Sequence, residues 1–179
     1  QQVLVVVDAP QSSMTASASF SISATVTASP PLVLGGATCA APAALDAGTF
    51  ISTTAGTSSQ FNFSSSAGCE PTATAPDSVF SVTVPPSSLL RATVTPHQWD
   101  AVLNVLGSPG ACGITLDAGT FGATCLTSSD GPRTTSVEEV VVRNPTATAT
   151  TALLVVDGHT ERDFGTFTIT TEVVPFGSL

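Results

Sequence analysis

The chain has 179 residues, and its 13 acidic residues against 4 basic ones give a formal net charge of -9. A negative charge of this size repels nucleic acids and anionic membrane surfaces, so we expect neither as a partner. Only 9% of the residues are charged, and exposed helices need many charged side chains. The abundance of Thr and Val, with 14 glycines and 13 prolines for turns, therefore predicts an all-β protein.

A continuous apolar run opens the chain. It is long enough for one strand that is buried on both faces, yet no partner strand follows it directly. Its members are Val3, Leu4, Val5, Val6 and Val7.

A second strand-like segment follows a turn around Pro10. Apolar side chains alternate there with Ser and Thr, which is typical of a half-buried strand. The apolar members are Phe20, Ile22, Ala24 and Val26.

A predicted hinge ends this N-terminal region, because Ser29-Pro30-Pro31 and Gly35-Gly36 break regular structure. We interpret residues 1–35 as a strand arm with its hinge and residues 36–179 as the body.

The body carries further predicted strands between recurrent turn signals. Many short strands at this spacing are typical of an antiparallel β-sandwich, here jelly-roll-like, with the arm as an extension. The predicted strands are Gln60 to Phe63, Val79 to Val84, Leu89 to Val94, Ala101 to Leu106, Val137 to Arg143, Ala152 to Val156 and Phe164 to Val173.

The four cysteines indicate disulfides in an oxidising compartment. They lack CxxC spacing and the chain has only two histidines, which disfavours zinc. Of the three possible pairings we favour Cys39 with Cys69 and Cys112 with Cys125. The chain begins with Gln1 and has no apolar run long enough to span a membrane, so we expect an extracellular or cell-surface protein whose signal peptide has been removed and which does not insert into a membrane.

Four motifs of the body, together with its cysteines, resemble a known bacterial family. They are PDSVFSV at 76–82, WDAVL at 99–103, LVVDG at 154–158 and GTFTI at 165–169. In this order they are similar to the pre-peptidase C-terminal domain and its cysteine-bearing relatives. The resemblance implies an antiparallel β-sandwich of the kind found on secreted and cell-surface proteins.

Acidic residues fall at characteristic positions of these motifs. A carboxylate there can accept hydrogen bonds from backbone amides at a strand end or turn, and we favour this structural role, with no metal and no cofactor. Since some relatives bind calcium, the same group could instead supply oxygen ligands. The motif residues are Asp77, Asp100 and Asp157, and Asp163 joins them only as a calcium candidate.

No motif indicates an enzyme. The chain contains neither Gly-x-Ser-x-Gly nor His-Glu-x-x-His, and we interpret His159, near Glu161 and Asp163, as part of a turn. Trp99, the only tryptophan, precedes an apolar strand and is expected in the core rather than on a carbohydrate-binding surface.

Two functions remain. The first is a structural subunit of an extracellular bacterial filament or surface layer, a homopolymer in which each arm adds its strands to the sheet edge of a neighbour. A head-to-tail contact of this kind propagates as a fibre. The alternative is a secreted accessory module that binds protein or polysaccharide, as the family resemblance implies.

Overall fold

The computed structural model describes residue 6 and residues 21–63, 69–72, 74–107, 125–132 and 136–176. The described residues form two sheets of β-strands and contain no helix. The first sheet has five strands in the order β1 (Ala43–Ala44), β3 (Ser78–Val84), β8 (Thr150–Gly158), β5 (Ala101–Gly107) and β6 (Cys125–Asp130). The second has four, in the order β2 (Gly48–Thr53), β9 (Thr166–Pro175), β4 (Ser88–Pro96) and β7 (Glu138–Asn144).

Neighbouring strands are antiparallel throughout both sheets, with one exception. The short β1 runs parallel to β3, whereas the other pairs are antiparallel. The inner faces of the two sheets enclose one apolar core. The sequence-based prediction of an all-β antiparallel sandwich is therefore confirmed.

The central position of β8 explains its unbroken apolar sequence. Leu154 and Val156 point into the core between the sheets, while Leu153 and Val155 face the other side of the same sheet, where a second apolar cluster lies. A strand that is buried on both faces needs apolar residues at every position rather than at alternate ones.

Aromatic rings fill the centre of the core. The ring of Phe167 meets those of Phe80 and Trp99 edge to face, with centroids 6.1 Å apart in both pairs. The Trp99 Nε1–H donates to the carbonyl oxygen of Thr166 at 2.8 Å, which satisfies the polar end of a buried indole. The interpretation of Trp99 as a core residue is confirmed.

A covering segment before β3 shields the outer face of the five-stranded sheet. Phe61 and Phe63, whose rings stack with centroids 5.5 Å apart, pack there against Val79, Leu153 and Val155. This segment adds a partial third layer to the sandwich.

The prediction that Gln60 to Phe63 form a strand was wrong. The backbone N–H groups of Gln60 and Phe61 donate to Asp77, and that of Phe63 donates to Thr72. Because side chains rather than a neighbouring strand accept these hydrogen bonds, the apolar alternation buries two rings without forming a strand.

The disulfide pairing predicted from the sequence was also wrong. Cys69 is bonded to Cys125, with their Cα atoms 5.5 Å apart, so neither predicted pair can form. Cys39 is disulfide-bonded as well, and Cys112 lies outside the described residues. The chain folds back over the five-stranded sheet before β3, which brings Cys69 to the edge strand β6, far away in sequence.

The remaining strand predictions correspond to β3, β4, β5, β7, β8 and β9, with ends shifted by a few residues. Strands β1, β2 and β6 were not predicted. β1 has only two residues, and β2 and β6 lie at sheet edges. Their sequences, such as CLTSSD in β6, lack the apolar alternation that a half-buried strand would show.

Candidate functional site

The N-terminal arm lies outside both sheets wherever it is described. Ser21 to Ser29 are exposed and belong to no strand. The apolar side chains of Ile22 and Val26 are 56% and 97% exposed, and that of Val6 is 75% exposed. The other predicted arm residues, Val3, Leu4, Val5, Val7 and Phe20, lie outside the described residues.

The arm is attached to one edge of the four-stranded sheet. Leu32 forms a parallel bridge with Ile51 of β2, in which Ile51 N–H donates to Pro31 O and Val33 N–H donates to Ile51 O, both at 2.9 Å. Pro30 and Pro31 have no N–H, so pairing along β2 cannot continue toward the N-terminus. The second half of the predicted hinge is also attached to the body, since Gly36 and Val79 exchange two backbone hydrogen bonds.

Strand β7 forms the opposite edge of the same sheet. Within the described residues, β4 is its only strand partner. Its register with β4 is continuous from Glu138 to Asn144. It contains neither a proline nor a bulge, two devices with which edge strands commonly prevent further pairing, although it does carry charged residues, including the buried Glu138.

The backbone groups of β7 that face outward are identified by one hydrogen bond. Glu139 N–H donates to the Ser129 hydroxyl of β6 at 3.3 Å, on the side away from β4. Since consecutive residues of a strand direct their N–H groups to opposite sides, those of Val141 and Arg143 also face away from β4. β6 lies against this edge at Glu139, whereas Val141 and Arg143 have no backbone partner there among the described residues. Val141 itself is 46% exposed.

The outer face of the four-stranded sheet carries an array of threonines. Thr49 lies opposite Thr170, which lies opposite Thr93 on the next strand. The hydroxyls of Thr49 and Thr170 are 3.0 Å apart and hydrogen-bonded. The other members are Thr53, Thr95, Thr166 and Thr168.

Charged residues border this threonine face on one side, and a histidine borders it elsewhere. Arg91 and Glu139 form an exposed salt bridge of 2.7 Å, in which the guanidinium lowers the pKa of Glu139. The His97 Nε2 lies 3.2 Å from the Thr168 hydroxyl. The alternation of Thr with apolar residues in TFTIT at 166–170 and in ATVT at 92–95 could have signalled this face, but sequence reasoning did not single it out.

Two carboxyl groups are buried under the covering segment. Asp77 Oδ2 accepts hydrogen bonds from the N–H groups of Gln60 and Phe61 at 2.6 and 2.8 Å, and Asp157 Oδ1 accepts one from Gly158 N–H at 2.7 Å. Both residues are fully buried. These hydrogen bonds to backbone amides are of the kind that the structural interpretation expects.

Burial changes the ionisation of this pair. Desolvation raises the pKa of Asp77 to about 6. It raises the pKa of Asp157 to about 8, and the nearby Asp77 carboxylate contributes to that rise. One oxygen of each, Asp77 Oδ1 and Asp157 Oδ2, has no hydrogen-bond partner among the described residues. At neutral pH the pair therefore favours a state in which Asp157 keeps its proton.

The other two acidic candidates interact with each other at a neighbouring turn. Asp163 accepts hydrogen bonds from Asp100 N–H at 3.3 Å and Thr160 N–H at 2.9 Å. The His159 Nδ1 lies 2.9 Å from Asp130 Oδ2 at the surface. In the described part of the chain, no group of three or more His, Cys, Asp or Glu side chains is placed to hold a metal ion.

A membrane-spanning helix is likewise not found in the part of the chain that the structure describes.

Comparisons with known proteins find likeness in structure but none in sequence. No family model matches this chain, and no curated protein sequence matches it. Among solved structures, the chain is similar to the pre-peptidase C-terminal domain of a collagenase from Bacillus anthracis, with 8% identity and a TM-score of 0.42. The match covers 81% of this chain and 100% of that one. This is the family that the motifs of the body resemble.

Proposed function

We propose that the protein is a structural subunit of an extracellular filament or surface layer, in which the N-terminal arm adds as a strand to a neighbouring subunit. The observation that carries this proposal is the exposed arm. Its described part, Ser21 to Ser29, has the side-chain alternation of a half-buried strand but no strand partner. Exposed apolar residues that alternate in this way become buried when their segment pairs with a strand of another chain.

The attachment point of the arm supports a propagating contact. The arm leaves the body beside β2, at one edge of the four-stranded sheet, whereas the other edge is β7. A donor at one edge and an acceptor elsewhere on the same molecule make a head-to-tail contact, which produces open polymers unless its rotation closes a ring.

The cysteine chemistry supports the extracellular location. Disulfides such as Cys69–Cys125 persist in oxidising compartments and are rare in reducing ones. The shortage of charged residues, at 9% of the chain, also suits dense packing between subunits because few charges would be desolvated.

Electron microscopy and sedimentation of the purified full chain test the proposal. We expect filaments or sheets from the unsubstituted protein, and dispersed particles when Ile22→Asp places a charge in the contact. Removal of residues 1–28 should also abolish assembly while the disulfides of the body stay oxidised. Monodisperse unsubstituted protein, or a truncated protein that still assembles, would contradict the proposal.

A second candidate function, an accessory module that binds polysaccharide, is favoured by the threonine face. Hydroxyls at regular spacing on an exposed sheet can hydrogen-bond to a repeating sugar surface, although no described aromatic platform accompanies them. Pull-down with insoluble polysaccharides tests this function. Thr168→Glu should abolish binding without changing the melting temperature, and absence of binding by the unsubstituted protein would remove this candidate.

A further inference from the structure

We infer that the open edge of β7 is the acceptor for the arm, and that its occupant is segment 20–26 of a second copy of this chain. This inference rests on the proposed function and goes beyond it, because it names the groups on both sides of the contact. It is carried by the geometry of the four-stranded sheet, the direction of the edge amides and the length of the arm.

The length of the arm disfavours pairing of the complete segment with β7 of its own molecule. From the Leu32 bridge to a strand added beyond β7 there are five strand spacings, or about 24 Å at about 4.8 Å per spacing. Val26 lies six residues before Leu32, and six extended residues span at most about 22 Å. The path would also have to run around the sheet rather than through it. A different copy has no such limit on its reach, so it is the better donor of the whole of segment 20–26.

The other sheet edges offer less to a donor strand. The edge of β2 is already paired with the chain around Leu32, and β1 is only two residues long. Next to β6, the pairing with β5 is interrupted by a register shift at Val105 and Leu106. β7, by contrast, is seven residues long with an unbroken register, which matches the length of segment 20–26.

The chemistry of β7 suits this occupant. Within the described part of the chain, the backbone groups of Val141 and Arg143 that face away from β4 have no hydrogen-bond partner. The N–H of Glu139 donates to the Ser129 hydroxyl. On the core side of β7, Val140 and Val142 are buried but lie at the margin of the apolar core. A donor whose Ile22 and Val26 face that margin would extend the core, and its Ser and Thr residues would face outward beside Val141.

Hydrogen exchange of the full chain, measured in dilute solution with and without a synthetic peptide of residues 20–28, tests the assignment. We expect the peptide to slow exchange at the Val141 and Arg143 amides by at least about tenfold. The amides of Val140 and Val142 face β4 and serve as internal controls, protected with and without the peptide. A peptide carrying Ile22→Asp should give much weaker protection.

A pair of proline variants separates this edge from the opposite one. Val141→Pro removes an N–H that faces the open edge, so it should abolish peptide-induced protection at Arg143. Thr49→Pro is the matched control, because its N–H also faces away from the neighbouring strand but on the β2 side. If Val141→Pro fails to fold, the measurement on the unsubstituted chain decides the question.

The outcomes for this inference and for the proposed function are distinguishable. Protection at β2, β1 or β6 instead of β7, or no protection at any edge, overturns the acceptor assignment. Filaments without protection at β7 overturn the assignment and leave the proposed function standing. Protection at β7 in a protein that forms no filaments supports the assignment and contradicts the filament.

Discussion

Asp77 directly precedes β3 and lies next to Asp157 of β8 in the extended register, since Ser78 pairs with Val156. Both are fully buried beneath the covering segment, and one oxygen of each has no hydrogen-bond partner among the described residues. Two carboxyl groups that interact in a desolvated site cannot both ionise easily, so a proton is held within the pair.

This pair makes stability depend on pH. The pKa values of Asp77 and Asp157 are raised by burial to about 6 and about 8, so between about pH 4 and pH 8 the folded state binds more protons than the unfolded state. Their contribution to stability is complete below about pH 4 and is lost as the pH rises through about 6 and then about 8.

We therefore expect urea unfolding to give a lower free energy of unfolding at about pH 9 than at about pH 5, by an amount on the order of a few kcal/mol. Asp157→Asn should flatten this dependence, because the amide cannot ionise. Asp46→Asn, at an exposed position, is the control and should leave the pH profile unchanged. Equal stability of the unsubstituted protein at the two pH values would contradict the prediction.

The disulfide between Cys69 and Cys125 should contribute strongly to stability. It joins residues 56 apart in sequence, and loop closure of that length corresponds to about 4 kcal/mol in the chain-entropy account. The double variant Cys69→Ser with Cys125→Ser should lower the free energy of unfolding by about 2–5 kcal/mol. Non-reducing peptide mapping should find Cys69 joined to Cys125, and Cys39 joined to the remaining cysteine of the sequence, Cys112. A peptide that links Cys39 to Cys69 would refute this pairing.

Asn144 holds together the corner that follows β7. Its side-chain amide donates to the carbonyl oxygens of Val84, Pro85 and Thr148 at 2.8–3.0 Å, and the residue is buried. Asn144→Ala leaves these carbonyls without that donor, and we expect a loss of about 1–3 kcal/mol in the free energy of unfolding. Thr148→Ala is the control, because the contact uses its backbone carbonyl. If the two variants are equally stable, the hydrogen bonds of Asn144 do not matter to the fold.

The arm should be dispensable for the stability of the isolated molecule. Since Ile22 is 56% exposed, Ile22→Asp should leave the melting temperature of the monomer unchanged while it raises the concentration needed for assembly. The reason is that the charge would be desolvated only in the contact with a neighbour. Ser23→Asp places the same charge on the other face of the segment and should perturb assembly less. A lower melting temperature in Ile22→Asp would show that Ile22 packs within its own subunit.

The local sequence pattern was sufficient to predict most strands of the sandwich. In β4 and β9 apolar residues alternate with Thr and charged residues, and the alternation follows directly from one face being buried and the other exposed. β8 instead contains an apolar run, because a central strand is covered on both sides. In these strands the information needed for prediction lies within a few consecutive residues, as alternation in β4 and β9 and as a continuous run in β8.

Features that depend on which segments contact each other were determined only by the tertiary structure. The alternation at Phe61 and Phe63 resembles a strand, yet the Asp77 and Thr72 side chains bind the backbone there and leave a covering loop. Cys69 lies closer in sequence to Cys39 than to Cys125, but the path of the chain over the five-stranded sheet brings Cys125 to it. The order of the strands in the sheets likewise brings Asp77 close to Asp157 and leaves β7 at an edge. A sequence pattern cannot specify this order, because burial determines which face of a strand is apolar but not which strand lies beside it.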